Sequence, residues 1–311
     1  MKLNYIIASI AVAFAATACD SKLEVFEPGG DSFTGTAVPV SNVNVESLPG
    51  QIKLSWDDSD AQYEYMRMWY KDPKQGGVEV KKLLSPSLLG KSEIIIDNTR
   101  ARYGDYTFFF QAFNVAGQGS NIVEFKGQSG PAPKTFTEPD KSKRTKVELT
   151  ADQLSTDNQE PNEGPISNLV DGQTGTFFHT RWSGTQVPLP QYVQVDFNEV
   201  HTAFAVKYCT RVVGNSDGYP TAATMQVQPV GTDDWVDVGY ISEGMPTAKN
   251  TASWFESPWF LYEAGFDKFR FLVTAVTDNK NYFHMSELEF YDVELDTYDP
   301  ETDEEEVEPV N

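Results

Sequence analysis

Apolar and polar positions alternate along most of the chain. Ile52, Leu54 and Trp56 alternate with Gln51, Lys53 and Ser55, and Tyr106, Phe108, Phe110 and Ala112 with Thr107, Phe109 and Gln111. Val193, Val195 and Phe197 alternate with Tyr192, Gln194 and Asp196, and the runs Phe204/Val206/Tyr208 and Phe269/Phe271/Val273 repeat the pattern. A period of two, rich in β-branched and aromatic residues and punctuated by Gly, Pro, Asn and Asp, predicts half-buried strands. No stretch carries a clear 3.6-residue period. The segment 62–71 fits either period, and its Tyr and Trp content assigns it to a strand. The expected fold class is all-β, with two antiparallel β-sandwiches over residues 37–126 and 147–293.

The flanking segments read differently. After Met1-Lys2, the 14 residues Tyr5 to Ala18 are apolar or small. That is too short to cross a hydrocarbon core of ~30 Å as a helix and suits the core of a signal peptide, residues 1–18. The run ends Ala16-Thr17-Ala18-Cys19, which resembles a bacterial lipobox and implies that Cys19 is acylated as the mature N-terminus. Cleavage at the Ala-x-Ala-like site with Cys19 unmodified is the other reading. The only other cysteine is Cys209, so a lipidated Cys19 leaves neither sandwich a disulfide, and each rests on its core. Residues 19–36 are polar with a Pro28-Gly29-Gly30 turn and read as a tether. Residues 127–146, with three Pro and a basic cluster, read as a linker. Residues 294–311 hold nine acids and no Lys or Arg and read as a disordered tail.

Charge then narrows the function. Lys and Arg total 24 against 46 Asp and Glu, a formal charge of −22. This argues against nucleic acid, whose phosphates are held by Lys and Arg, and against an anionic lipid surface held by protein charge. A lipid on Cys19 is therefore the expected route to a membrane. Catalytic signatures are lacking. The three histidines, His179, His201 and His284, have no zinc-protease spacing. Residues 214–218 match G-x-S-x-G, but Tyr219-Pro220 follow and no α/β pattern surrounds them, so a turn is expected. Acids are too abundant for paired carboxylates to be diagnostic. With both long segments assigned to β-sandwiches, no segment is left for a separate catalytic domain and no enzyme activity is expected.

Two resemblances add to this reading. Val40-Ser41-Asn42-Val43, Ile52-x-Leu54-x-Trp56 and Tyr106-x-Phe108-x-Phe110-x-Ala112-x-Asn114-x-x-Gly117 resemble a fibronectin type III domain, and also the N-terminal sandwich of lipoproteins from glycan-foraging bacteria. The resemblance implies that Trp56 and Phe108 are core and that Tyr106 is a corner tyrosine whose hydroxyl returns to the backbone. Phe109 and Phe113 fall on the opposite face, where they either pack against a neighbouring domain or form a patch for a partner. The second resemblance rests on Ile166-Ser167-Asn168-Leu169-Val170-Asp171-Gly172 running on to Phe178-His179-Thr180-Arg181-Trp182. It continues in Gln191–Phe197, Tyr208–Arg211, Gly231–Trp235, Phe269-Arg270-Phe271 and Phe283–Tyr291. In order and spacing these resemble a factor V/VIII type C (discoidin, galactose-binding-like) domain. That implies a jelly roll of about eight strands with ligands held by loops at one end.

Candidate sites follow from the same stretch. The turn Asn168–Thr176 sets a carboxylate, a hydroxyl and several carbonyls near one point, and Ca²⁺ takes 6–8 such oxygen ligands. The resemblance implies a structural Ca²⁺ held by the side chains of Asp171, Thr176 and Glu287 and the carbonyls of Asn168, Gln173 and Ser286. An Asp-Gly turn closed by its own hydrogen bonds is the alternative. Sugar recognition needs an aromatic platform and planar polar groups for hydroxyl pairs. By resemblance the candidates are His179, Trp182, Arg211, Asn215 and Tyr282. Each of His179, Trp182 and Arg211 also reads as a purely structural residue, and Trp254 and Tyr219 are rival platforms. Two functions remain open. One is a non-catalytic lipoprotein of the outer membrane, on the cell surface or its periplasmic face, that binds a glycan or oligosaccharide on a fibronectin-like spacer. The other is a protein-interaction or structural lipoprotein accessory to an outer-membrane transporter or adhesion complex.

Overall fold

The computed structural model describes residues 32–87, 89–215 and 217–303, so the signal segment, Cys19 and most of the tether lie outside the described residues. Among them every element is a strand or a short 3₁₀ turn, and all strand pairings between named strands are antiparallel. The chain divides into two compact units, residues 1–133 with 299–311, and residues 134–298.

The first unit holds β1 (Asn44–Leu48), β2 (Gln51–Asp57), β3 (Tyr65–Asp72), β4 (Val78–Leu84), β5 (Lys91–Ile96), β6 (Asp105–Phe113) and β7 (Val123–Gln128). They form two sheets, β1-β2-β5 and β4-β3-β6-β7. The segment 62–71, ambiguous in period, supplies β3. The alternating residues meet in one core: Ile52, Leu54, Met66, Met68, Phe108 and Phe110 are all fully buried. Trp56 packs its edge on Phe110 at 5.8 Å, and its indole N–H donates to the buried Asp58 carboxylate at 2.9 Å. Asp58 also accepts from the hydroxyls of Tyr63 and Ser92 and from the Ser87 amide, so the buried charge is hydrogen-bonded on every side. The Tyr106 hydroxyl accepts from the Arg100 amide at 2.9 Å, a return to backbone six residues upstream. Phe109 and Phe113 find partners within the unit: Phe109 stacks on Trp69 at 5.5 Å and Phe113 on Tyr65 at 4.9 Å.

The second unit holds β8 (Thr135–Thr137), β9 (Thr145–Val147), β10 (Leu154–Thr156), β11 (Phe178–His179), β12 (Gln191–Cys209) and β13 (Pro220–Pro229). It continues with β14 (Val236–Ile241), β15 (Trp254–Glu256), β16 (Phe260–Val276), β17 (His284–Met285), β18 (Glu287–Asp292) and β19 (Asp296–Tyr298). Its main sheet runs β14-β13-β16-β12-β18-β9. The 19-residue β12 changes neighbours midway. Residues 191–196 pair with β16 and 193–195 also with β10, residues 204–209 pair with β18 and, towards the end, β15, and the register with β16 breaks between Asp196 and His201 before resuming through Phe204. Such breaks let one strand serve both layers of a sandwich. Val193, Val195, Phe204, Val206, Phe269 and Phe271 are fully buried between them.

Two boundary expectations differ from the structure. The stretch 127–146 is not a free linker, since it contains the end of β7, all of β8 and the start of β9, which pairs with β18. The acidic stretch from 294 is ordered through 303. Leu295 packs against Ala203, Ala205 and Val293, and β19 pairs with β8. Glu301 belongs to the first unit, where its carboxylate accepts from the amides of Ala101 at 3.1 Å, Arg102 at 2.8 Å and Ala132 at 2.7 Å. Charge alone reads such a run as solvated. Three convergent backbone donors instead take up the carboxylate, and a ladder takes up the backbone. Residues 304–311 lie outside the described residues.

Candidate functional site

The loops at one end of the second unit are drawn together by a short ladder. β11 pairs with β17, placing His179 opposite His284 and Phe178 opposite Met285. The Thr180 amide donates to the Phe283 carbonyl at 2.9 Å, and the Phe283 amide donates to the Thr180 hydroxyl at 2.8 Å. Gln191, fully buried at the start of β12, donates to the carbonyls of Val187 at 2.6 Å and Asn281 at 2.8 Å and so ties down the loop carrying Tyr282. Gly218 has a left-handed φ of 74°, and a Cβ there would lie 2.8 Å from the Tyr282 ring, so both conformation and space require glycine.

On this frame four of the five sugar candidates converge. The His179 ring lies 5.2 Å from that of Tyr282 and 6.5 Å from that of Trp182. Trp182 is 47% exposed, so it is not core. Its indole N–H donates to Glu163 at 2.8 Å. The Arg211 guanidinium lies 3.4 Å above the centroid of Phe177, whose ring is 6.4 Å from that of His179. Arg211 is half-buried and, among the described residues, its guanidinium makes no hydrogen bond or ion pair. Burial lowers its pKa, and the Glu163 charge works against that fall. Tyr282 donates to Asp217 at 3.3 Å, and Asp217 pairs with Lys280 at 3.2 Å. Asn215 is exposed in the same turn. The rival platforms are otherwise engaged. Tyr219 is fully buried, its hydroxyl holding the Arg211 carbonyl at 3.1 Å, and Trp254 sits on β15 under the Lys207 ammonium at 4.7 Å.

The hydrogen-bonding character of the cluster is set by two residues. His179 Nδ1 lies 2.6 Å from the Thr180 carbonyl, which can only accept, so Nδ1 carries the proton and neutral Nε2 is an acceptor. Burial keeps the imidazole pKa below its ordinary value, reinforced by the Arg211 charge and only partly offset by the Thr180 carbonyl. Arg211 is donor-only. The partner histidine, His284, is buried as well, its Nε2 donating to the Asp217 carbonyl at 2.7 Å, and burial pushes its pKa down to about 3. It is a neutral prop beneath His179.

Sequence reasoning missed Phe177, Glu160 and Glu163. Phe177 could have been suspected from its alternation with Phe178. The two acids carry no signal in a chain with 46 of them.

The candidate metal turn is a separate place. Ile166–Val170 is a 3₁₀ turn that ends at Asp171. Asp171 accepts from the Gln173 amide and from the Thr176 hydroxyl, each at 2.8 Å. Asn168 closes the loop by donating to the Phe177 carbonyl at 2.9 Å. Glu287, at the start of β18 and 4% exposed, faces this turn, and its Oε1 is buried without a hydrogen-bond partner among the described residues. Burial first, then the neighbouring Asp171 carboxyl, pushes the Glu287 pKa up to about 7, against the Gly172 and Gln173 amides. The Ser286 hydroxyl donates to the carbonyls of Thr210 at 3.1 Å and Thr174 at 3.3 Å. Two carboxylates crowded together, an orphaned buried oxygen and a carbonyl-rich turn fit a hard cation. Among the described residues no group of three His, Cys, Asp or Glu could hold a metal, so a softer, side-chain-only site is not what this turn offers.

Comparison with known proteins came out unevenly. No curated protein matches the chain at a significant level. Solved structures similar in fold include the family 32 carbohydrate-binding module of NanJ from Clostridium perfringens in complex with galactose. It is 17% identical, matches 48% of this chain and 99% of its own, and has a TM-score of 0.37. The C-terminal domain of a chitobiase from Bacteroides fragilis is 19% identical, matches 49% of this chain and 100% of its own, at a TM-score of 0.36. A SusE-like protein is 14% identical and matches 83% of this chain and 98% of its own, at a TM-score of 0.35. The family comparison is narrower in extent and definite in result: it matches the F5/8 type C domain to the stretch that contains both the loop cluster and the Asp171 turn, so residues 150–288 are an F5/8 type C domain.

Proposed function

We propose that this chain is a non-catalytic carbohydrate-binding lipoprotein that holds a glycan at the loops of its second unit and carries that unit on a fibronectin-like spacer. The observation that carries the reading is the pairing of an acceptor with a donor beside exposed aromatic surface. Neutral His179 Nε2 can accept a hydrogen bond from a ligand and Arg211 can donate one, and a sugar hydroxyl both donates and accepts. Trp182 and Tyr282 supply rings for the apolar face of a pyranose, and Asn215 is a further polar group at the rim. An F5/8 type C domain is a frequent host for such loop sites, which supports the reading by analogy.

The same proposal includes a structural Ca²⁺ held by Asp171, Thr176 and Glu287 with the carbonyls of Asn168, Gln173 and Ser286. Bound there, the ion would neutralise two crowded carboxylates and staple the first turn of the domain to its last strand. It includes as well an acyl anchor on Cys19 that holds the chain at the outer membrane. A protein-interaction role, as accessory to an outer-membrane transporter, is the second reading. What favours it is the outward face of β3 and β4, where half-buried Tyr65 lies among Leu83 and Val115, 58% and 46% exposed.

One shallow site with one platform and a few hydrogen bonds implies a Kd of ~0.1–1 mM, or roughly −4 to −5.5 kcal/mol. The test is calorimetry on the chain against a panel of soluble oligosaccharides. Arg211→Ala should weaken binding by about tenfold or more, because losing a charged hydrogen-bond partner costs ~1.5–3 kcal/mol. Absence of affinity for every oligosaccharide, with co-purification of a membrane protein, would replace this reading with the second.

A further inference from the structure

The segment Glu160–Glu163 takes none of the roles assigned above, yet its two carboxylates hold the two ends of one residue. Glu160 is 2% exposed and accepts the main-chain N–H of Trp182 at 3.2 Å and that of Ser183 at 3.1 Å. It also accepts the Ser183 hydroxyl at 2.9 Å and the Asn162 amide at 3.3 Å. Burial alone would raise its pKa, but these donors together hold it below the usual carboxylate range. The backbone of the Trp182 loop is therefore anchored on a buried anion. Glu163 acts on the other end, accepting the indole N–H at 2.8 Å. Its charge also supports the Arg211 guanidinium against burial.

Trp182 needs that second hold. At 47% exposure its ring is not wedged by core packing, and its ring contact with His179 is loose, at 6.5 Å between centroids. An indole fixed only at its backbone would sample several χ orientations, and a ligand would have to freeze it. A ring already fixed in place spares that cost.

We propose that Glu163 is the positioning residue of the loop site. One carboxylate sets the plane of Trp182 through its indole N–H and places a negative charge near the Arg211 guanidinium. The proposal rests on the glycan reading only for what stacks on the ring. The tether from Glu163 to the indole stands apart from it.

The experiment follows the indole N–H resonance of Trp182 in the full chain, identified by its loss in Trp182→Phe, together with the affinity for the panel oligosaccharide that the wild type retains. Glu163→Ala removes both acceptor and charge. It should shift the indole resonance and weaken binding by about fivefold at an unchanged melting temperature. Glu163→Gln keeps a carbonyl acceptor but not the charge. It should leave the resonance near its wild-type position and lose only part of the affinity. An indole resonance unmoved in Glu163→Ala, or equal affinity in wild type and Glu163→Ala, overturns the proposal. If Glu163→Ala does not fold, Glu163→Gln decides alone: reduced affinity supports the role and unaltered affinity overturns it. A wild type that binds no oligosaccharide, with the indole resonance still shifted in Glu163→Ala, removes the glycan reading and leaves the positioning role standing.

Discussion

Neutral imidazole and guanidinium are a matched pair only while His179 stays unprotonated. Its free-state pKa lies below the ordinary 6.5 because burial disfavours the cation, and a hydroxyl donating to Nε2 would lower it further. Sign follows directly. Above the ordinary value the acceptor is present and glycan affinity should be flat with pH. As pH falls through the depressed pKa, Nε2 gains a proton, loses its lone pair and sits as a second cation near Arg211, so affinity should fall. Calorimetry from pH 8 down to pH 5 measures this, and an affinity that rises on acidification would contradict the acceptor role. The residues that make this chemistry were partly legible. His179, Trp182, Arg211 and Tyr282 stand out as residue types suited to sugars. Glu163 became visible only once the chain was folded, because its role is a contact with a residue 19 positions away.

At the scale of elements, the Asn168–Thr176 turn and β18 crowd two carboxyl groups together, which the proposed cation would relieve. Burial and the Asp171 carboxyl raise the Glu287 pKa to about 7, well above an unfolded glutamic acid. A raised carboxyl pKa costs nothing below its unfolded value, where both states are protonated. It destabilises increasingly as pH climbs from there through about 7, where the folded site must ionise beside Asp171. The proposed Ca²⁺ would take the place of that proton. Millimolar Ca²⁺ should therefore raise the melting temperature of the second unit, by mass action on the folded state, and more so at pH 8 than at pH 5. Asp171→Ala should abolish the shift. Melting that ignores both EDTA and Ca²⁺ at pH 8 would dispose of the site. The strands were read with less difficulty. β2, β6, the first half of β12 and the middle of β16 follow alternations visible in the sequence, since a sheet with one buried face imposes a period of two. What period could not supply was the neighbour exchange along β12, because pairing partners are non-local.

For the whole molecule, the reading of a membrane-tethered protein depends on one residue outside the described structure. Acylated Cys19 would retain the chain in the membrane fraction, and Cys19→Ala should move it to the soluble fraction. A variant that stays with membranes, or a wild type that is soluble, would remove the anchor. No helix among the described residues is long and apolar enough to cross a membrane. The acidic C-terminal stretch shows how composition misleads at this scale. Nine acids without a basic residue suggest a free tail, yet the chain passes from the second unit through β19 and returns Glu301 to the first. Net charge describes how a segment meets water, and it is silent on whether three backbone amides converge on one carboxylate.

By itself the sequence determined the all-β class, the strands that follow its alternations and the Asp171 turn. Each of these is written in local periodicity, composition or short spacing, which physics reads residue by residue. Tertiary structure alone decided that Trp182 is exposed and Tyr219 buried, that Arg211 rests on Phe177, that Glu287 faces Asp171, and that Glu160 and Glu163 hold the Trp182 loop. Those facts depend on which strand ends share one rim of the sandwich. That is set by hydrogen-bond register between strands far apart in the chain, and no local pattern encodes it.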